Sequence, residues 1–188
     1  AKRLVIFEVS EFALYRLEEC LKEILDTEKL DCEIISILGS VTNQELLDRV
    51  FTQYEIHTVY HAAAYKHVPL VEKNPFQGII NNAFGTRIAA AAAQKAGIER
   101  FILISSDKAV RPTNVMGASK RLAELVVQDF ANAQPTGPIF SMVRFGNVLG
   151  SSGSVVPLFK KQIENGGPLT VTHPEVRRFF MSVDEATS

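Results

Sequence analysis

Few cysteines, no charge excess and no long apolar run narrow the classes open to this 188-residue chain. Cys20 and Cys32 have neither a metal-type spacing nor an accompanying histidine cluster, so they read as reduced, structural side chains, and no metal site is expected. Twenty Lys and Arg face 21 Asp and Glu, for a formal charge of −1, so there is no electrostatic case for nucleic acid or an anionic membrane as partner. No apolar run approaches the ~18 residues of a transmembrane helix and no secretory signal is present, so the expectation is a soluble, cytoplasmic chain whose own residues touch no membrane. A longer parent with a membrane anchor stays open. Linkers of low complexity and internal repeats are missing, and the length suits a single domain.

What is there is a regular alternation of short apolar runs and helical patterns. Leu4–Phe7 reads as a strand ending at Glu8, followed by a helix over Phe12–Leu25 behind the N-cap Ser10. Cys32–Leu38 is a second strand, then Thr42 caps a helix over Gln44–Phe51. Thr58–Tyr60 is a third strand, and Asn82–Ala96 an alanine-rich helix stopped by Gly97. Phe101–Ile104 is a fourth strand, Ser119–Ala133 a helix, Ile139–Phe145 a fifth strand and Ser154–Asn165 a last helix, with a short extended run in the tail. This order predicts an α/β fold, a doubly wound parallel sheet of Rossmann-like type. A dinucleotide fold of this kind opens on a strand and a glycine-rich turn, yet no glycine cluster precedes Glu8. Glu8 instead sits where the second strand places its ribose-binding carboxylate. The chain is therefore expected to be partial, starting at the second strand and lacking most of a C-terminal substrate-binding part.

The densest chemistry lies in Phe101–Lys120, FILISSDKAVRPTNVMGASK. A buried strand runs into Ser105-Ser106-Asp107-Lys108, and the carboxyl ends of strands are where open α/β sheets place their chemistry. A lone Asp-Lys pair is more often a surface turn; the rest of the chain shifts that weighting.

Six stretches carry a resemblance: FEVSEFALYRLE (Phe7–Glu18), HAAAYKHVPLVEKNP (His61–Pro75), NNAFGT (Asn81–Thr86), SSDKAVRPTNVMGASK (Ser105–Lys120), VRFGNVLGSSGSVVPLF (Val143–Phe159) and HPEVRRFFM (His173–Met181). In this order they resemble the extended short-chain dehydrogenase/reductases, and among them the UDP-N-acetylglucosamine 4,6-dehydratases of the long-form polysaccharide biosynthesis family. The superfamily's Tyr-x-x-x-Lys pair is absent. Met116 stands four residues before Lys120, and a thioether cannot transfer a proton at neutral pH. The long-form dehydratases share that Met and an upstream Asp-Lys pair.

The resemblance implies hydride removal from the sugar's C4, loss of water across C5 and C6, and hydride return to C6 by NAD or NADP, with NAD favoured because Glu8 would repel a 2′-phosphate. It makes Asp107 the acid for the C6 hydroxyl, with a pKa raised by burial or by a substrate phosphate. Lys108 becomes the base at C5, acting in its neutral form. Ser106 holds the C4 oxygen and Lys120 the nicotinamide ribose; the acceptor of the C4 hydroxyl proton is open among Asp107, Lys108 and water. Glu8, His61, Ala62, Ala63 and Asn82 are the remaining cofactor candidates, with His61 kept out of catalysis as a satisfied core histidine in the alternative. The UDP-sugar, as partner, is expected to meet Lys66, Asn147, Ser154 and Arg178, although Lys66 equally suits a solvated loop and Arg177 competes with Arg178. A homo-oligomer is allowed. Two other readings compete: a 4-epimerase or reductase of the same superfamily, and a catalytically silent nucleotide-binding module.

Overall fold

A computed structural model describes the chain except residues 134–136, 150–154, 172, 176, 178 and 188 and the side chain of Thr187. Strand β1 (Arg3–Glu8) pairs in parallel with β2 (Glu33–Leu38), from Arg3 opposite Glu33 to Glu8 opposite Leu38. A second parallel ladder has the order β3 (Thr58–His61), β4 (Arg100–Ile104), β5 (Ile139–Val143), with β4 central. Among the described residues no ladder joins β1 to β3, so the expected parallel sheet is present as two ladders. The short β6 (Asn147–Val148) and β7 (Phe180–Met181) pair separately. The fifth strand stops at Val143, two residues earlier than its apolar pattern suggested.

Among the described residues, helices cover both faces of β1 and β2 but one face of β3–β4–β5, whose other face leaves Tyr60, Ile139 and Val143 exposed. On β1, alternation sends Val5 and Phe7 to one side, where they pack on the main core, and buried Ile6 to the other. Helix α1 (Glu11–Glu28) packs on β1 and β2 and buries Leu14. Its N-cap is Ser10, whose Oγ accepts from the Ala13 N–H at 3.3 Å. The main core joins α2 (Gln44–Gln53), the long helix that ends in α5 (Gly85–Ala96), and α6 (Val115–Ala133) to β4 and β5. Its centre holds the fully buried side chains of Phe101, Leu103 and Val127, each worth roughly 1.5–3 kcal/mol of burial. Alanines 89, 90, 92 and 93 let α5 lie close against these neighbours.

The alanine-rich helix starts earlier than its composition suggested. Val68–Lys73 (α3) and Pro75–Ile79 (α4) precede it, with Pro69 and Pro75 in their first turns, where the missing N–H costs nothing. A π-type turn over Ile80–Phe84 then runs straight into α5. Asn82 is therefore inside a continuous helical segment, not at its N-cap. At α2 the cap is Asn43, which accepts from the Leu46 N–H at 3.1 Å, while Thr42 bonds Ser40. Two short helices, α7 (Val155–Glu164) and α8 (Val183–Thr187), complete the chain. Among the described residues no helix is long and apolar enough to cross a membrane.

Candidate active site

The turn that carries Ser106, Asp107 and Lys108 begins where β4 ends. Ser105 N–H donates to Val143 O at 2.8 Å and Asp107 N–H to Phe145 O at 3.1 Å, so the pairing of β4 with β5 continues past both strands. Asp107–Ala109 is a single tight turn, with Ser106 Oγ accepting from the Lys108 N–H at 3.3 Å. Ser106 Oγ and Lys108 Nζ each donate to Asp107 Oδ1 at 3.0 Å. The Asp107 and Lys108 side chains are 45% and 28% exposed. Burial acts to raise the Asp107 pKa, but the hydrogen bonds from Lys108 and Ser106, with the Lys108 charge, outweigh it and hold the carboxyl below its usual range. The raised pKa expected from sequence is thus not the state of the free site. A methyl added at Gly146 would stand 3.7 Å from Asp107 Oδ2, which places the carboxylate beside the segment that leads to Asn147. Asn147 Nδ2 donates to Phe179 O at 3.1 Å.

Helix α6 brings in the next two residues. Glu72 Oε1 accepts from Val115 N–H at 2.6 Å and Asn114 Oδ1 from Gly117 N–H at 2.8 Å, which starts the helix four residues ahead of Ser119. Met116 is buried, 3% exposed. One turn on, Lys120 is 6% exposed and its Nζ donates to Ile104 O at 2.6 Å, the last carbonyl of β4. Burial lowers its pKa to about 8, opposed by the Glu124 charge. An ammonium has three protons, so the amine retains donors beyond this bond.

Glu124 escaped the sequence reading. Its side chain is 0% exposed, yet it is a carboxylate. Arg144 Nε donates to Oε1 at 2.7 Å and Arg144 Nη2 to Oε2 at 2.6 Å; Ser105 Oγ donates to Oε1 at 2.6 Å and Arg121 Nη1 to Oε2 at 2.9 Å. Burial pushes this carboxyl up, but the Arg144, Ser105 and Arg121 bonds overcome it and bring the pKa down to about 2. Only its spacing of four residues from Lys120 signalled it in sequence; its partner Arg144 lies 20 residues away on another element.

A cleft of about 970 Å³ opens at the carboxyl ends of β1, β2 and β3. Glu8, Ala62, Ala63 and Lys66 line it, with Gly39 and Ser40. Glu8 Oε1 accepts from the Ser10 N–H at 2.9 Å, which holds the carboxylate at the rim. Two other cofactor candidates are elsewhere. His61 is buried against Phe101, its Nε2 2.9 Å from Thr86 Oγ1. Thr86 gives its one hydroxyl proton to Asn82 O at 2.6 Å, so it accepts from His61, and the imidazole proton is on Nε2. Burial and the Lys120 charge lower the His61 pKa to about 3, and the ring is neutral. Asn82 is 1% exposed: its Oδ1 accepts from Tyr65 N–H at 2.7 Å, and its Nδ2 donates to Tyr65 O at 3.0 Å and Ser119 Oγ at 2.9 Å. In these bonds His61 and Asn82 act as supports, His61 on Thr86 and Asn82 on Tyr65 and Ser119. Asn82 pins the loop after β3 to α6. Ser154 and Arg178 lie outside the described residues, and Arg177 is exposed.

The family described as "Polysaccharide biosynthesis protein" matches residues 1–188. The chain is 57% identical over 143 residues to the probable polysaccharide biosynthesis protein EpsC of Bacillus subtilis, covering 74% of this chain and 24% of that protein. It is 45% identical to the capsular polysaccharide biosynthesis protein CapD of Staphylococcus aureus, covering 99% of this chain and 30% of the relative. A UDP-glucose 4-epimerase of Rickettsia rickettsii is 34% identical over 95% of this chain and 52% of its own length. Among solved structures, Pen from Bacillus thuringiensis superposes with a TM-score of 0.88 at 34% identity, over 99% of this chain and 55% of that one. The chain thus spans about a quarter to a half of the length of these proteins. The match along its whole length, joined to the parallel α/β ladders and the Asp-Lys turn at the end of β4, makes this chain a member of the polysaccharide biosynthesis protein family, of the extended short-chain dehydrogenase/reductase type.

Proposed function

We propose that the whole protein is a nucleotide-sugar 4,6-dehydratase that converts UDP-N-acetylglucosamine to its UDP-4-keto-6-deoxy sugar in the cytoplasm, for surface polysaccharide synthesis. One observation carries the reading: a buried Met116 stands four residues before Lys120, where a proton-carrying tyrosine would be, while an acid–amine pair waits at the end of β4. A nicotinamide dinucleotide suits the cleft. Its volume of about 970 Å³, its floor of Gly39 and Ala62–Ala64, and the Glu8 carboxylate at a strand end fit an adenosine half approaching backbone closely. When bound, the nicotinamide supplies hydride uptake and return, and Glu8 favours NAD over NADP.

The Asp107–Lys108 ion pair contains the proton that the chemistry needs. Moving one proton from the Lys108 ammonium across the 3.0 Å hydrogen bond to Asp107 gives a carboxylic acid and a neutral amine. Water exclusion by the sugar favours that neutral pair, because two desolvated charges are costly. Lys108 then accepts the C5 proton and returns it to C5 as hydride reaches C6. Asp107 gives its proton to the departing C6 hydroxyl, which leaves as water, and Ser106 bonds the C4 oxygen, whose hydroxyl proton passes through water to restore the one Asp107 gave up. Lys120 holds the ribose, and Lys66 and Asn147 meet the UDP-sugar.

The Rickettsia relative supports a second reading, a 4-epimerase. Such a reaction needs one group to take and return the C4 hydroxyl proton, which the Met116 thioether cannot do. Incubation of the full-length protein with UDP-N-acetylglucosamine and NAD separates the two. Loss of one water with a new C4 ketone is expected. Recovery of the C4 epimer at unchanged mass would favour the second reading, and unchanged sugar would sink both.

A further inference from the structure

We propose that Glu124 is the positioning residue of the candidate active site: from α6 it grips Ser105 and Arg144, and so fixes the Ser106–Asp107–Lys108 turn relative to Lys120. This rests on the reading of Asp107 and Lys108 as the reacting pair.

Three elements meet at this one carboxylate. Lys120 and Glu124 are one helical turn apart, on the same face of α6. They bind consecutive residues of the segment leaving β4: Lys120 reaches Ile104 O and Glu124 reaches Ser105 Oγ. Ser105 is the residue before Ser106. Just past β5 Glu124 takes two donors of the Arg144 fork, Nε and Nη2. Arg144 lies between Val143 and Phe145, whose carbonyls accept from Ser105 and Asp107. The two backbone bonds that fix the reacting turn therefore flank the two side chains that Glu124 holds.

Stability alone does not account for a charge in this place. A buried ion network of this kind is commonly replaced by apolar side chains at little cost. A bidentate fork with two added donors instead sets direction and distance, which apolar packing sets poorly. The turn it fixes must keep an acid and an amine within hydrogen-bond reach of different sugar atoms, and a displacement of about 1 Å there costs roughly 100-fold in rate.

The test uses the full-length protein with Glu124→Gln, which keeps the shape and removes the charge. The expected result is a kcat lower by about 100-fold with the KM for UDP-N-acetylglucosamine within about threefold, since Lys66 and Asn147, outside the loosened segment, keep their places. Amide exchange of the segment 105–108 is expected to rise at least about tenfold while that of 100–104 stays slow. A loss of fold would instead raise exchange in both segments together. If Glu124→Gln does not fold, the pair Glu124→Met with Arg144→Leu, which leaves no unpaired buried charge, takes its place with the same expectation. If the protein turns over no sugar, the dehydratase reading fails, and the exchange of 105–108 decides the positioning role by itself. Wild-type exchange in that segment, or wild-type kcat in a folded variant, would overturn the proposal.

Discussion

Gly117 of α6 lies so close to the Lys108 carbonyl that a Cβ on it would stand 2.5 Å from that oxygen. The obstacle is backbone and cannot rotate away. Gly117→Ala is therefore expected to push the helix and the Asp107–Ala109 turn apart, at a cost of about 1–3 kcal/mol in stability. Urea unfolding of the variant measures it, and the turnover of the full-length protein should fall as well. An unchanged midpoint would mean that the turn and the helix are not in register as described.

Stability should fall on the acid side through His61. Its folded pKa of about 3 is below the ordinary 6.5, so the unfolded chain takes up the proton first. The contribution of the neutral ring is fully present above pH 6.5 and drains away as pH falls from 6.5 towards 3, by at most ~4–5 kcal/mol. Below pH 4.5 Glu124, held near 2, adds to the loss in the same direction. His61→Gln keeps an N–H donor for Thr86 but cannot charge, so its unfolding midpoint should be flatter than the wild type between pH 6.5 and 5. Parallel profiles would contradict a neutral, buried His61.

Asn82 is expected to be costly to remove. Asn82→Ala leaves the N–H and C=O of Tyr65 and the Ser119 hydroxyl without their partner. With an unpaired buried group worth about 1–3 kcal/mol, the variant should lose roughly 2–4 kcal/mol by urea unfolding. A loss under 1 kcal/mol would show that the loop after β3 is not pinned in this way.

Local pattern explains what could be read before the structure was known. Runs such as Phe101–Ile104 announce buried strands because their apolar residues are contiguous, and Gly97, at φ 67°, announces a helix end because few other residues adopt that backbone. The position of Asp107 and Lys108 just past β4 followed from the α/β alternation, while Met116 and Lys120 were singled out by the family resemblance. The rest depended on partners remote in sequence. Asn114 and Glu72 start α6 early, and Glu72 is 43 residues from the N–H it accepts. The two short helices after His67 were hidden by prolines that look like breakers but occupy first turns. Asp107 is shifted down rather than up because its own neighbours Ser106 and Lys108 turn back onto it, a conformation that spacing does not reveal.

Glu8 provides a test of the cofactor site. In the full-length protein, NAD is expected to bind more tightly than NADP. Glu8→Ala should weaken NAD by about 10- to 100-fold, the range for losing hydrogen bonds to a charged group, with less effect on NADP. Calorimetric titration of both dinucleotides measures this. Equal losses for the two would remove Glu8 from the ribose contact.

The most direct test compares wild-type full-length protein with Lys108→Met and Asp107→Asn in heavy water with UDP-N-acetylglucosamine. The wild type is expected to place solvent deuterium at C5 of a 4-keto-6-deoxy product. Lys108→Met should abolish that exchange, and Asp107→Asn should cut product formation by at least about 100-fold. Near-wild-type turnover in either variant would contradict the assignment of proton transfer to the acid–amine pair at the end of β4.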